Sequence, residues 1–245
     1  MPGMRPASSG EAVSLPRSKW PALLVIMRHA TTEANLKRLY QDDEVVVNET
    51  RDADAHLTDQ GREEARRTGQ HLNRYGTFDV VYVSPYVRTR ETAGIVLEEM
   101  QGEPPLVLEE RIREKEFGIL EGMSRGARKK FFPEEMNRRG KIGKYYYRPP
   151  GGESYPDVNL RLQSFLGTLV REHAGRRVLV VTHSVVVLLF RRLLERLEEK
   201  EVLDLDRHHE VKNASLLVYE LGARDGREGV LVRKAWNFVP GGEPR

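Results

Sequence analysis

Short runs of consecutive apolar residues recur along the chain, separated by amphipathic stretches with helical spacing. Such runs are typical of strands that are buried on both faces of a sheet. They occur at residues 23–27, 79–83, 106–108 and 178–181, and a final pair of strands is predicted at 215–219 and 229–232. Helices are predicted from about Thr58, over 86–100, over 157–173 and from Ser184. This alternation predicts an α/β fold, a three-layer α/β/α sandwich with a mainly parallel central sheet.

Three segments show neither the continuous apolar runs of buried strands nor the spacing of amphipathic helices. Residues 36–56 are polar and are expected to form a long loop, a kind of segment that often carries function in a compact domain. Residues 109–155 are dense in charge, aromatic side chains and glycine. Residues 1–20 are rich in Pro, Ser and Gly and lack the apolar region of a signal peptide. We therefore expect a flexible leader at 1–20 and one folded domain over about 21–240.

Composition excludes several classes of protein. The 245 residues include 40 Lys+Arg and 37 Asp+Glu, and a formal net charge of +3 does not predict a nucleic-acid partner. The absence of Cys excludes a disulfide scaffold, a Cys nucleophile and a thiolate metal site. No apolar run reaches the ~18 residues that a membrane span needs. We expect a cytoplasmic protein without a membrane partner.

Polar residues follow three predicted strands at their carboxyl ends. Arg28-His29 follows the first strand, Ser84 to Arg88 the second, and Thr182-His183 the fourth. Ligands bind at this edge of parallel sheets. Guanidinium groups bind phosphate oxygens in a bidentate fork, and a neutral imidazole is a competent nucleophile toward phosphorus. The pattern therefore predicts a phosphate pocket.

The same stretches resemble the histidine phosphatase superfamily, which has the phosphoglycerate-mutase-like fold. The family's motifs are Arg-His-Gly…Asn, Ser-Pro-x-x-Arg-Thr-x-x-Thr-Ala, an acidic motif before Phe/Tyr-Gly, Gly-Gly-Glu-Ser and Val-Thr-His-Gly. They are similar, in the family's order, to residues 28–35, 84–93, 111–118, 151–154 and 181–184. The resemblance covers roughly residues 21–238.

The resemblance implies a role for each matched position. His29 would be the nucleophile that becomes phosphohistidine. Arg28, Arg88 and His183 would bind the transferring phosphoryl group, and Asn35 would add a phosphate contact. Positioning and charge stabilisation are what phosphoryl transfer mainly needs, and these side chains would supply both without a metal or cofactor.

The general acid is open between two carboxylates. Spacing to Phe117-Gly118 favours Glu114 over Glu116 as the acid for the leaving oxygen and then the base for water. The chain also departs from the family at Ala30 and Ser184, where glycine is usual. Glycine tolerates positive φ and alanine does not, so the backbone beside the phosphate is expected to differ there.

The resemblance implies a metal-independent phosphatase that hydrolyses a phosphomonoester, with a small phosphorylated metabolite as its partner. One alternative is phosphoglycerate mutase-type transfer. Family mutases carry Glu and Trp at the positions of Thr31 and Ala34, and Arg and Tyr at those of Lys115 and Phe117, which favours hydrolysis here. Another alternative is a catalytically weak phosphate-binding regulatory module. The oligomeric state is left open.

A cap-like insertion is expected at about 123–150, because cations and aromatic side chains mix there from Lys129 to Arg148. In the family this region often covers the site, so we expect it to select an acidic or aromatic phosphoester. A single-stranded nucleic-acid surface and a plain solvated insertion are the alternatives. Adjacent His208 and His209 have a poor chelating spacing on a helix, and no metal site is predicted.

Overall fold

A computed structural model describes residues 18–37 and 44–241, and within them six strands form one sheet in the order β3-β2-β4-β1-β5-β6. The strands are β1 (Leu23–Arg28), β2 (Val80–Val83), β3 (Leu106–Leu108), β4 (Arg177–Thr182), β5 (Leu216–Arg224) and β6 (Arg227–Phe238). The first four pair in parallel, and β5 and β6 join antiparallel. The predicted α/β fold with a mainly parallel central sheet is confirmed.

Helices cover both faces of this sheet. They are α1 (Glu33–Lys37), α2 (Asp59–Leu72), α3 (Val87–Glu99), α4 (Arg125–Phe131), α5 (Pro133–Ile142), α6 (Tyr155–Glu172), α7 (Ser184–Glu195) and α8 (Glu199–His208). Side chains of β1 alternate between two hydrophobic cores. Leu24 and Ile26 pack in one with α6 and α7, and Val25 and Met27 pack in the other with α2 and α3. These cores make the three predicted layers.

Side-chain caps fix where the predicted helices begin. The Thr58 side chain accepts a 3.0 Å hydrogen bond from the Gly61 amide and caps α2. Helix α6 begins at Tyr155, two residues before the predicted start. Ser154 and Asp157 form a reciprocal capping box there, so Asp157 lies inside the first turn.

Several elements were not predicted by the hydrophobic pattern. Helix α1 precedes and overlaps the start of the loop expected at 36–56, α4 and α5 lie within 109–155, and α8 follows α7. Helix α4 buries only Gly126 and Ala127 and α5 buries none of its residues, so neither has a strong apolar stripe. Strands β5 and β6 extend to a tight turn at Asp225-Gly226, where both residues have positive φ.

Parts of two predictions lie outside the described residues, namely 1–17 of the leader and 38–43 of the long loop. In the described part of the chain, no helix is long and apolar enough to cross a membrane.

The three functional strand ends meet at one edge of the sheet because β2, β4 and β1 are neighbours. The His29 amide donates to the Thr182 carbonyl at 2.8 Å, and the Ser84 amide donates to the Val181 carbonyl at 3.1 Å. Backbone hydrogen bonds therefore extend the parallel pairing into the residues that carry the candidate chemistry.

Candidate active site

A cavity of about 400 Å³ opens at this edge of the sheet. Five of the six residues predicted for the site line it: Arg28, His29, Asn35, Arg88 and Glu114. The sixth, His183, is fully buried and contacts the cavity wall through Arg88. The structure thus brings all six together, with His183 behind the others.

The ring of His29 is oriented by the backbone that follows it. Its Nδ1 lies 2.8 Å from the Ala30 carbonyl, which can only accept, so Nδ1 carries the proton. The His29 carbonyl accepts from the Asn213 side chain at 3.1 Å and from the Ala214 amide at 3.2 Å. In this tautomer Nε2 carries the lone pair that a nucleophile needs.

His183 has both ring nitrogens engaged within the protein. Arg88 Nη2 donates to Nδ1 at 3.1 Å, so Nε2 is protonated and donates to Ser84 Oγ at 2.7 Å. Burial, followed by the positive charge of Arg88, lowers the pKa of His183 well below its ordinary value of 6.5. His183 is therefore a neutral residue that orients Arg88.

Arg88 lies in the first turn of α3 and is 3% exposed. Its Nη2 also donates to Asp52 Oδ2 at 2.8 Å, and its Nη1 donates to the Asp52 carbonyl. The Tyr86 ring lies 4.9 Å from the guanidinium carbon. These contacts fix the guanidinium at the cavity wall.

Arg28 and Asn35 line the same cavity as His29. Arg28 is buried, donates to the Val211 carbonyl and lies 3.9 Å from the Glu210 carboxylate. The Asn35 side-chain oxygen accepts from Thr32 and from Asn213. Its amide nitrogen is then the polar atom that Asn35 offers to a ligand.

The two candidate acids point in different directions. Glu114 is buried and lines the cavity, and its carboxylate accepts from the Lys115 amide at 2.8 Å and from Ser184 Oγ at 3.4 Å. Glu116 accepts from the Tyr86 hydroxyl at 3.1 Å and is not among the lining residues. Geometry therefore favours Glu114, in agreement with the motif spacing.

The two departures from glycine lie in ordinary backbone. The positive-φ residues of the described chain include neither Ala30 nor Ser184, so neither position needs the conformational freedom of glycine here. The Ala30 amide donates to Thr92 Oγ1 at 3.1 Å. Ser184 is the first residue of α7 and adds a hydroxyl contact to Glu114.

A second chamber of about 770 Å³ adjoins the cavity. Both are lined by Glu114, Phe117, Arg125, Arg128, Ser184 and Glu210. Lys115 lines the chamber, and its Nζ lies 4.5 Å from the centre of the Phe117 ring. Burial lowers the pKa of Lys115 to about 8, although the Glu114 charge opposes this shift. The chamber can hold a substrate group larger than phosphate.

Three residues of the site were not predicted from the sequence: Asp52, Asn213 and Glu210. Each lies in an irregular segment where no period or motif marks it. Only the general expectation that the long loop carries function includes one of them, Asp52. In the part of the chain that the structure describes, no group of three or more His, Asp and Glu side chains is placed to bind a metal ion.

Comparison with known proteins supports the family resemblance. A family model described as the histidine phosphatase superfamily (branch 1) matches residues 24–234. A 2,3-bisphosphoglycerate-dependent phosphoglycerate mutase of Methylobacterium radiotolerans is 36% identical over 208 residues, which cover 82% of this chain and 90% of the relative.

Solved structures share the fold. Bacillus stearothermophilus YhfR superposes with a TM-score of 0.71 at 25% identity, covering 89% of this chain and 97% of that one. The alpha-ribazole phosphatase from Shigella flexneri superposes with a TM-score of 0.69 at 21% identity, covering 91% of this chain and 100% of that one. At this identity the second likeness concerns architecture alone.

Proposed function

This chain belongs to the histidine phosphatase superfamily, and we propose that it transfers a phosphoryl group from a phosphomonoester through a phosphohistidine on His29. The observation that carries the proposal is the position of His29. Its Nδ1 proton is directed at the Ala30 carbonyl. The His29 side chain lines one cavity together with Arg28 and Arg88. A nucleophilic nitrogen that shares a cavity with two guanidinium groups is suited to phosphoryl transfer.

The reaction has two steps. His29 Nε2 bonds to phosphorus while the ester P–O bond breaks, and the leaving oxygen takes a proton from Glu114. Water then attacks phosphorus, the P–N bond breaks, Glu114 takes up the proton of the water, and His29 regains its lone pair. Arg28 and Arg88 stabilise the equatorial oxygens in both transition states.

Water is the proposed final acceptor of the phosphoryl group, because residues around the site differ from those of the family's mutases. The Thr31 hydroxyl donates to Glu64 on α2 and is not among the cavity-lining residues. The Phe117 ring lies against Lys115 Nζ and the Arg128 guanidinium, and it has no hydroxyl to offer a substrate. A site without these polar partners discriminates less for phosphoglycerate.

A mutase reaction is the second candidate. The name of the Methylobacterium relative favours it over hydrolysis, since that relative shares most of its length with this chain. In that case the phosphohistidine would return its phosphoryl group to another hydroxyl of the substrate. A weak phosphate-binding module, the third possibility, would form no stable phosphoenzyme.

We also propose that residues 123–150, with α4 and α5, form a cap that selects the substrate. Arg125 and Arg128 from this segment line both cavities, and Arg139 and Lys144 line the chamber. Four cations beside the proposed acid favour a phosphomonoester that carries a second acidic group. Salt-dependent binding of an unrelated oligonucleotide would instead favour the nucleic-acid alternative.

One experiment separates the candidate activities. The full chain is incubated with ³²P-labelled substrates and quenched in alkali, in which phosphohistidine survives. Phosphate release from an aryl phosphate is then compared with coupled conversion of 3- to 2-phosphoglycerate. We expect a labelled enzyme and faster hydrolysis. Mutase turnover faster than hydrolysis would show that a substrate hydroxyl, and not water, accepts the phosphoryl group. A protein that shows neither label nor turnover would fit only the phosphate-binding module.

A further inference from the structure

We infer that Asp52 competes with substrate and product phosphate for Arg88, and so sets the affinity of the site for phosphoryl groups. This inference rests on the proposed function only in taking Arg88 as a phosphate-binding residue. Asp52 belongs to none of the matched motifs, and it lies in the polar segment between α1 and α2.

The hydrogen bonds of Arg88 provide the first argument. A terminal guanidinium nitrogen carries two protons. Nη2 uses both, because it donates to Asp52 Oδ2 at 2.8 Å and to His183 Nδ1 at 3.1 Å. A phosphate that accepts the usual bidentate pair from Arg88 must therefore displace one of these acceptors.

Burial decides which acceptor leaves. The His183 ring is fully buried and tied to Ser84 on its other side, whereas the Asp52 side chain is 35% exposed. The Asp52 carboxylate can rotate into solvent at low cost. The Asp52 carbonyl, which accepts from Nη1, belongs to the backbone and can still orient Arg88.

The backbone around Asp52 is anchored independently of Arg88. The Asp52 amide donates to Glu121 Oε1 at 2.9 Å, and the Asn48 amide donates to the Gly122 carbonyl at 2.9 Å. Loss of the carboxylate contact therefore requires rotation of one side chain and leaves the segment in place.

Charge provides the functional reason. Arg88 is almost completely removed from water, and a buried cation without a counter-ion is costly. Asp52 supplies that counter-ion, as Glu210 does at 3.9 Å for Arg28. A phosphate dianion must exchange with a carboxylate already present, which weakens product binding and favours release.

The test compares phosphate affinity in matched variants of the full chain. Dissociation constants for orthophosphate and orthovanadate are measured by calorimetry for the parent, Asp52→Asn and Asp52→Ala. The control is Asp54→Asn, which removes the same charge two residues away, where the carboxylate lies 3.9 Å from the exposed Arg51 guanidinium. Thermal melts by circular dichroism verify that each variant is folded.

We expect both Asp52 variants to bind phosphate about three- to tenfold more tightly, and Asp54→Asn to stay within about twofold of the parent. If Asp52 only held Arg88 in place, its replacement would instead weaken phosphate binding. Unchanged or weaker binding in the Asp52 variants would overturn the inference while the proposed function stands. A parent protein that binds neither anion and shows no turnover would instead overturn the proposed function.

Discussion

The imidazole rings of His29 and His183 lie edge to face, with their centroids 5.3 Å apart and their planes at 60°. They come from the ends of adjacent strands, β1 and β4, and their polar partners differ. His29 directs one proton at its own chain and lines the cavity, whereas His183 uses both nitrogens on Arg88 and Ser84. The pair therefore separates into a candidate nucleophile and a residue that orients its neighbours.

His29→Ala is expected to reduce turnover by about 10³-fold or more, because the covalent step loses its nucleophile. The fold should survive, since the cores on either side of β1 are built from apolar residues. Phosphate release measures the effect, with circular dichroism as the check on folding. His208→Ala, at an exposed position on α8, is the matched control. Activity of His29→Ala within tenfold of the parent would exclude the covalent mechanism.

Glu114→Gln and Glu116→Gln should separate the two candidate acids. Glu114 lies at the cavity, so its loss should lower kcat/KM, which reports the first step, by about 10²-fold for an alkyl phosphate, whose leaving oxygen needs a proton. The loss should be much smaller for p-nitrophenyl phosphate, whose leaving group departs without one. Glu116→Gln should change both rates little, because that side chain faces Tyr86. A larger dependence on leaving group in Glu116→Gln would reverse the assignment.

Chelators should leave the activity unchanged. Arg28 and Arg88 line the cavity beside His29 and can neutralise the transferring phosphoryl group, which is the role of Mg²⁺ in other phosphoryl-transfer sites. The measurement is phosphate release after dialysis against EDTA, with and without added Mg²⁺ or Zn²⁺. Recovery of activity on addition of either ion would show that a metal ion, and not the two arginines alone, neutralises the transferring phosphoryl group.

Stability should fall as the pH drops below about 6.5. Burial, then Arg88, lowers the pKa of folded His183, so in this window the unfolded chain binds a proton that the folded chain does not. The free energy of unfolding should decrease by up to about 1.4 kcal/mol per pH unit from this residue. Urea denaturation at several pH values measures it.

The same pH series in variants attributes this effect to His183. Burial also lowers the pKa of His71, so His71→Gln reports how much of the slope that residue contributes. The remaining slope should diminish in His183→Gln. If His183→Gln does not fold, NMR titration of the His183 ring in the parent is decisive, and protonation near pH 6.5 would contradict the prediction.

Much of the site could be predicted because its main residues lie at the ends of regular elements. His29 and His183 directly follow apolar runs that predict buried strands, and parallel pairing places such ends at one edge. Arg88 follows the end of β2 and lies in the first turn of a predicted helix. The sequence pattern therefore predicts that these residues meet at one edge of the sheet.

The contacts of Asp52 and Lys115 could not be predicted in this way. Asp52 reaches Arg88 from an irregular segment, and its path depends on pairing with residues near Gly122 that have no periodic signal. Lys115 is buried although lysine is ordinarily exposed, because it packs on Phe117 beside Glu114. Such contacts depend on tertiary structure, and local sequence carries no signature of them.

The buried lysine leads to a prediction on pH and substrate choice. Because burial lowers the pKa of Lys115 to about 8, its charge should disappear as the pH rises through that value. The charged groups that face it are Glu114, Glu153, Arg128 and Arg139. KM for a phosphomonoester with a carboxylate should therefore rise above about pH 8, relative to KM for phenyl phosphate, which lacks a second acidic group. Using the ratio of the two KM values cancels the effects of other titrating groups that act on both substrates.

Two variants at Lys115 are the controls for this prediction. Lys115→Arg should keep the KM ratio constant to high pH. Lys115→Met should also make the ratio independent of pH, but with weaker affinity for the carboxylate-bearing substrate. A parent ratio that stays constant between about pH 7 and 9.5 would show that Lys115 does not bind the second acidic group.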